Sequence, residues 1–398
     1  MKRCVALCLS LALSLGILSG CAQPAASSAA QSQAMASSTA ASAPAEDLLG
    51  NGWAVESSME LQYATQFSVD YFEGGYKLLS LSNGDRFLVV PEGASLPEGI
   101  DPDIVPLYQP LDNLYLAASS AMSLFDSLGH ADKIRLSSTK ETSWYIDSAK
   151  QAMADGQMVY VGAYNEPDYE MLVNAGCPLA VESRMIDEAS EVKSKLEELG
   201  IAVLTDQSSL EKHPLGRSEW IRFYAALFNE EEKAAELFQQ QVDFLNEVAS
   251  AEATGKTVAF FYISPSSGSV VVRKGSDYIS KMLELAGGDY LFSDLDDGDP
   301  ESSTEPMEME AFFAAAKDAD YLIYNTSVGG DLAITADLIE QNQLLAEFKA
   351  VQEGNVWCTK RNLYQVTTEL GQMIQSFHEI FTGEADETGD LPYLYRLP

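Results

Sequence analysis

The chain has 398 residues, 46% of them hydrophobic, which suffices for two lobes of ordinary size, each with its own core. Its formal net charge is −36 and its isoelectric point about 4.2. Such a surface repels nucleic acid and anionic headgroups, which excludes sequence-independent DNA binding. The acidic residues are spread along the chain rather than gathered in a tail, and read as a solubilising surface.

The chain opens on a targeting segment. Lys2 and Arg3 form a basic start, and residues 5–18 are an apolar run too short for a transmembrane helix. The run ends Leu18-Ser19-Gly20-Cys21, which resembles a bacterial lipobox. Residues 1–20 are then a signal peptide, and Cys21 becomes a lipidated N-terminus. Its acyl chains would hold it firmly at roughly 0.8 kcal/mol per buried methylene. Residues 22–47 are mostly Ala, Ser, Gln and Pro and cannot form a core, so residues 21–54 are expected to be a lipid-anchored flexible tether. This places the protein at the extracytoplasmic face of a cell membrane. Of the five cysteines, Cys4 and Cys8 leave with the signal, and Cys177 and Cys358 are expected to be buried free thiols.

Residues 60–90 alternate apolar and polar in short runs separated by Glu73-Gly-Gly75 and Asn83-Gly-Asp85, the latter a strong hairpin signal. From there the pattern changes to strands near 105–108, 134–137, 159–161, 179–181 and 202–204. Helices are expected near 115–128, 144–154, 168–174 and 189–199. Such alternation implies a mainly parallel sheet covered on both faces. A helical region follows over 214–228. Asn229 before Glu230-Glu-Glu232 then predicts the cap of a longer helix of about 21 residues, roughly 30 Å at 1.5 Å each. Its apolar positions are Ala235, Phe238, Val242, Leu245 and Val248. The α/β pattern then repeats, with strands near 257–263, 269–272, 321–325 and 355–358 and helices near 278–286, 309–316, 335–341 and 366–382. The expected fold is α/β: an N-terminal lobe over 55–210 with extra hairpin strands, connecting helices over 211–254, and a C-terminal lobe over 255–398.

Two segments say nearly the same thing. Asp168-Tyr-Glu170 and Glu308-Met-Glu310 each begin a short apolar helix that runs through a turn into a buried strand. With the lipobox, the tether and two lobes joined by one long helix, the chain resembles the substrate-binding lipoproteins of ABC importers, in the class that captures iron-siderophores, haem and cobalamin. The strings that carry the likeness are 116–134, Asn165-Glu-Pro-Asp-Tyr-Glu170, the helix ending Leu285-Ala-Gly-Gly288, and 309–323. The resemblance implies that Glu170 and Glu310 dock into arginine pockets on the two subunits of a permease dimer. A carboxylate in the first turn of a helix suits the helix dipole and is open to a bidentate arginine. The chain departs from the family in Cys177-Pro-Leu-Ala-Val181, in its longer hairpin region, and in His213-Pro-Leu-Gly-Arg217-Ser-Glu-Trp220, which marks a subgroup.

Ligands of two-lobed α/β proteins sit where strands end and the lobes face each other. Candidate contacts are therefore Trp144, Tyr164 and Arg184 from the N-terminal lobe, and Tyr262, Arg273, Lys360, Arg361 and Tyr364 from the C-terminal lobe. Arginine beside aromatics suits an anionic, carboxylate- or catecholate-bearing chelate with flat apolar surface. Iron-siderophore, haem and corrinoid are all admitted as ligands. The scattered His130, His213 and His378 argue against a bare metal site, and the acidic run Asp294–Asp299 is read as a solvated loop. Ser137-Ser-Thr-Lys140 matches the S-x-x-K pair of penicillin-recognising enzymes but lacks its companion K-T-G. The expected function is a monomeric, non-enzymatic solute-binding lipoprotein. A lipid-anchored serine hydrolase using Ser137 and Lys140, or a surface adhesin, are the alternatives.

Overall fold

The computed structural model describes residues 47–250, 253–295 and 302–398. The lipobox, Cys21, most of the tether and part of the acidic run 294–299 lie outside these residues. Residues 45–398 make one compact unit.

The hairpin region builds a five-stranded sheet from β1 (Val55–Ser58), β2 (Phe67–Phe72), β3 (Tyr76–Leu81), β4 (Arg86–Val90) and β5 (Ile104–Tyr108), in that spatial order. The first four pair antiparallel and β5 joins β4 in parallel. The Asn83-Gly-Asp85 turn forms as expected: Gly84 sits at φ +93°, and the Asn83 side chain accepts the Asp85 N–H at 3.0 Å. Both sheet faces are covered. Val69, Leu79, Phe87 and Val89 face the main core, while Phe72, Leu78, Leu88 and Val90 face a small cluster against Trp53. The strand near 105–108 was expected to open the parallel lobe sheet; it belongs to this accessory sheet instead.

The N-terminal parallel sheet starts at β6 (Leu114–Leu116), followed by α1 (Met122–Leu128), β7 (Ile134–Ser137), α2 (Asp147–Ala154) and β8 (Val159–Tyr160). A small hairpin of β9 (Gly162–Ala163) and β10 (Glu166–Pro167) leads to α3 (Tyr169–Asn174), β11 (Leu179–Ser183), α4 (Ser190–Glu198) and β12 (Ala202–Asp206). The strand order is β12-β11-β6-β7-β8, all parallel. Leu114, Tyr115 and Leu116 are all fully buried. A short run that is apolar throughout reads equally well as buried strand or helix start, which is why the helix expected from 115 begins only at 122.

Glu182 on β11 is a fully buried carboxylate whose two oxygens find no hydrogen-bond partner among the described residues. Burial pushes its carboxyl up to about 8. The folded protein therefore holds this proton where the unfolded chain, near 4.3, has released it. The resulting cost is absent at pH 4, grows as pH rises, and is complete above about 8. Between pH 5 and 8 the wild type should lose stability relative to Glu182→Gln by about 1.4 kcal/mol per pH unit. Thermal unfolding of the two proteins across that range measures the slope, and parallel curves would contradict it.

Two helices connect the halves: α5 (Pro214–Ala226) and the 19-residue α6 (Glu231–Ala249), about 28 Å long. The predicted cap at Asn229 does not form. Asn229 takes a left-handed conformation (φ +61°), and its Oδ1 accepts from the buried Lys77 Nζ at 2.8 Å, which also donates to the Ala226 carbonyl at 3.0 Å and pairs with Glu231. The apolar stripe of α6 runs through Ala234 rather than Ala235, then Phe238, Val242, Leu245 and Val248 as read.

The subgroup string around α5 clamps the accessory sheet. Buried Glu219 accepts the backbone N–H groups of Gln62, Tyr63 and Ala64 at 2.8–2.9 Å and pairs with Arg222 at 2.9 Å. Buried Glu211 accepts those of Thr65 and Gln66 at 2.9 Å, and the Trp220 indole at 3.2 Å. His213 stacks on Tyr63 at 4.4 Å, and its Nδ1 accepts the Leu215 N–H at 3.2 Å.

The second α/β half runs β13 (Lys256–Ile263), β14 (Val270–Arg273), α7 (Tyr278–Leu285), β15 (Gly288–Tyr290), β16 (Thr304–Met307), α8 (Met309–Ala316), β17 (Tyr321–Tyr324), α9 (Thr326–Gly329), α10 (Thr335–Gln341), α11 (Lys349–Glu353), β18 (Val356–Thr359), α12 (Leu370–Thr382) and β19 (Leu394–Arg396). The sheet order is β16-β14-β13-β17-β18-β19, with β15 also on β13. Strands β13, β17 and β18 are parallel, while β14 and β19 run against them. The short β15, β16 and β19 escape sequence reading because they lack period-2 alternation, and β16 carries Pro306.

The halves do not keep separate cores, as length alone suggested. One apolar cluster runs from Ala64 to Leu397 through α5, α6 and α12, and a second, smaller one lies under α3 and α4. Helix α12 meets α6 at Gly371, where a Cβ would lie 2.2 Å from the Gln241 carbonyl, so only glycine allows this approach. Cys177, in the turn before β11, and Cys358, on β18, are buried free thiols. Burial pushes the Cys177 thiol up to about 11 and that of Cys358 up to about 12.

Candidate functional site

The carboxyl ends of the two parallel sheets are bridged by the segment that follows β18. The Gln365 side chain accepts the Tyr145 N–H at 2.7 Å and donates to the Ser143 carbonyl at 2.8 Å. Thr367 Oγ1 donates to the Ser120 carbonyl at 3.0 Å, and the Thr367 carbonyl accepts from Ser218 Oγ at 2.7 Å. Ser120 follows β6, Ser143 and Tyr145 follow β7, and Gln365 follows β18. The strand ends where an open α/β sheet places its ligand therefore meet here. Gln365 and Thr367 carry no signal in sequence, since an uncharged loop residue reveals its partner only in the fold.

Three exposed apolar side chains lie at or just beyond strand carboxyl ends on the two sides: Tyr160 (38% exposed) at the end of β8, Met185 (54%) after β11, and Val328 (42%) after β17. Sequence reasoning missed them, because an isolated apolar loop residue looks like any other.

The predicted contacts fare unequally. Trp144 is fully buried in the main core, with its Nε1 unpartnered among the described residues, so it offers no face to a ligand. Tyr164 sits between β9 and β10 and packs on the cluster under α3 and α4. Arg184 is half-buried at the turn after β11, and Tyr262 is half-buried near the end of β13.

Arg273 and Tyr364 do meet, but in a buried knot. The Tyr364 hydroxyl accepts from Arg273 Nη2 and from Asn325 Nδ2 (2.8 Å), while Arg273 reaches Ser303 Oγ at 3.2 Å and Asp277 at 3.8 Å. Burial pushes the Tyr364 phenol up. Alongside, the Arg217 guanidinium from the connecting helix lies 3.7 Å over the Tyr278 ring. Arg361 and Lys360 stand at the end of β18 already paired. Arg361 forks onto both carboxylate oxygens of Asp331 at 2.7 Å, and Lys360 pairs with Asp390 at 2.7 Å. Both cations thus pair with acids distant in sequence.

The S-x-x-K pair is not assembled for catalysis. Ser137 is fully buried and exchanges hydrogen bonds with the Thr139 backbone, while Lys140 Nζ lies 5.5 Å over the Tyr160 ring. Each histidine has a local role: His130 stacks on Phe228 at 4.3 Å, His213 caps α5, and His378 Nδ1 contacts the Ala286 carbonyl at 2.9 Å.

Glu170 and Glu310 are both exposed, each in the first turn of its helix. Asp168 caps α3 by accepting the Met171 N–H at 3.0 Å. Helix α3 feeds β11 and α8 feeds β17. A crossover helix runs against the strands it connects, so its N-terminus lies at their carboxyl ends. Both glutamates thus belong to the same edge of their sheets as the bridged strand ends.

The Periplasmic binding protein family model matches residues 116–363, more than half of the chain. An uncharacterized lipoprotein of Methanocaldococcus jannaschii is 23% identical over 329 residues, covering 77% of this chain and 77% of the relative. A second from the same organism is 26% identical over 355 residues, covering 85% and 86%. Among solved structures, a periplasmic binding protein from Veillonella parvula superposes with a TM-score of 0.57 at 17% identity, covering 69% of this chain and 93% of the other. The periplasmic haem-binding protein HutB of Vibrio cholerae gives 0.52 at 17% identity, covering 67% and 98%. These likenesses show a shared mixed α/β fold. The chain belongs to the periplasmic binding protein family. The matched region excludes the accessory sheet, which ends at Tyr108.

Proposed function

We propose that this chain is the lipid-anchored solute-binding component of an ABC importer, which captures an iron-siderophore-like metal chelate outside the membrane and delivers it to a permease dimer. The family match carries the reading. The bridged strand ends with exposed apolar side chains supply a place for the chelate. The two exposed glutamates at the same edge supply matched contacts for the permease subunits, and the lipobox at Cys21 supplies the anchor. The buried, internally bonded Ser137 removes the support for a hydrolase.

Tryptophan fluorescence tests the reading. Buried Trp144 lies between Ser143 and Tyr145, the two residues that Gln365 bridges, so a coloured metal chelate held there should quench its emission by energy transfer without touching the ring. Titration with ferric hydroxamate, ferric catecholate, haem and corrinoid should give at least one saturable change with a Kd below about 10 μM, roughly −7 kcal/mol. No saturable change with any of the panel would end the proposal.

A further inference from the structure

We infer that the ligand held between the strand ends is an uncharged or cationic metal chelate with an apolar periphery, not a polyanion. This rests on the binding function proposed above and goes on to the charge of its cargo.

Anion-binding sites present cations whose hydrogen-bonding capacity is unspent. The basic side chains of the C-terminal half at this edge are already engaged. Arg361 makes the bidentate pair with Asp331 that a ligand carboxylate would have to displace. Lys360 is held by Asp390 at 2.7 Å. The Arg273 side chain is 12% exposed and bound to Tyr364, Ser303 and Asp277. On the N-terminal half Lys140 and Lys150 lie over the rings of Tyr160 and Tyr145 at 5.5 and 5.4 Å, an arrangement that partly satisfies a cation without an anion.

Further acids crowd the same loops. Glu141 and Asp147 follow β7, and Asp187 and Glu188 follow β11, all of them exposed. The net charge of −36 repels an anion, a repulsion that salt screens over about 8 Å under physiological conditions. The exposed large apolar side chains at these strand ends are Tyr160, Met185 and Val328. Apolar contact with balanced charge suits a ligand that has already neutralised its own metal.

The test is a set of affinities for the detergent-solubilised full-length chain at fixed salt. The probes are a cationic ferric trihydroxamate, a neutral corrinoid, a trianionic ferric tricatecholate, and haem with its two propionates. The trihydroxamate or the corrinoid should bind at least about tenfold tighter than either anionic probe. Asp331→Asn and Asp390→Asn, which release Arg361 and Lys360, should each shift the tricatecholate-to-corrinoid affinity ratio about tenfold toward the tricatecholate. Tightest binding of tricatecholate or haem, equal affinities across the set, or no shift in either variant overturns the inference and leaves the importer reading standing. Binding of none of the probes overturns both.

Discussion

Replacing Glu219 with alanine should destabilise the protein by about 3–5 kcal/mol. This buried carboxylate accepts from the backbone of Gln62, Tyr63 and Ala64 and pairs with Arg222. Its removal strands those N–H groups in a site that is 0% exposed at Glu219 itself, while Arg222 keeps its bond to the Glu60 carbonyl at 2.6 Å. An unmet buried donor costs about 1–3 kcal/mol, and partial hydration on relaxation keeps the sum below a simple addition. Glu219→Gln retains one acceptor oxygen and should lose less. Chemical denaturation measures both, and limited proteolysis should newly cut the alanine variant near Glu60, where the accessory sheet comes free. A loss under about 1 kcal/mol would show that the clamp is incidental to the fold.

The second large effect is functional. With Glu170→Lys and Glu310→Lys combined, uptake by proteoliposomes carrying the cognate permease should fall at least about a hundredfold. Two desolvated carboxylate contacts become two like-charge contacts, each worth several kcal/mol against arginine. Ligand affinity should stay within about twofold, because both residues are exposed on helices outside the bridged segment. Each single reversal should give an intermediate loss, since the contacts lie on different sheets and act independently. An affinity drop of tenfold or more would instead place the glutamates at the ligand, and uptake at the wild-type rate would remove them from docking altogether.

Much of the fold was legible in the chain. The spans 309–316 and 335–341 were read as helices at the bounds they adopt, because their apolar spacing follows a helical turn between recognisable ends. The hairpin at Asn83-Gly-Asp85 was legible from turn chemistry alone. The strand at 105–108 was also read correctly as a strand, but assigned to the wrong sheet. Its own residues say only that it is extended; its pairing with β4 is a choice among edges made by the whole molecule. Tyr115 and Leu116 read as a helix start but belong to β6, because a short apolar run has no period to read.

The candidate site was legible in part. Arg273, Lys360, Arg361 and Tyr364 all lie beyond strands of the C-terminal half, and the three cations stand out by their rarity in an acidic chain. What each one faces was not legible. Asp331 lies 30 residues from Arg361, and Asp390 lies 30 from Lys360, so nothing local announces either pair. The string His213–Trp220 was visible as a departure from the family, yet its purpose depends on Glu219 and Glu211 meeting backbone more than 140 residues earlier.

The sequence by itself determined the order and type of most elements and the paired glutamates at two helix starts. These follow from interactions within about one turn of helix or one strand, where spacing along the chain is spacing in space. The tertiary structure alone decided which sheet each edge strand joins, that the two halves share one core, and which carboxylate neutralises each cation. Those depend on contacts between distant segments. A buried donor or charge accepts whatever partner the packed chain brings within 3 Å, and sequence distance sets no limit on which partner that is.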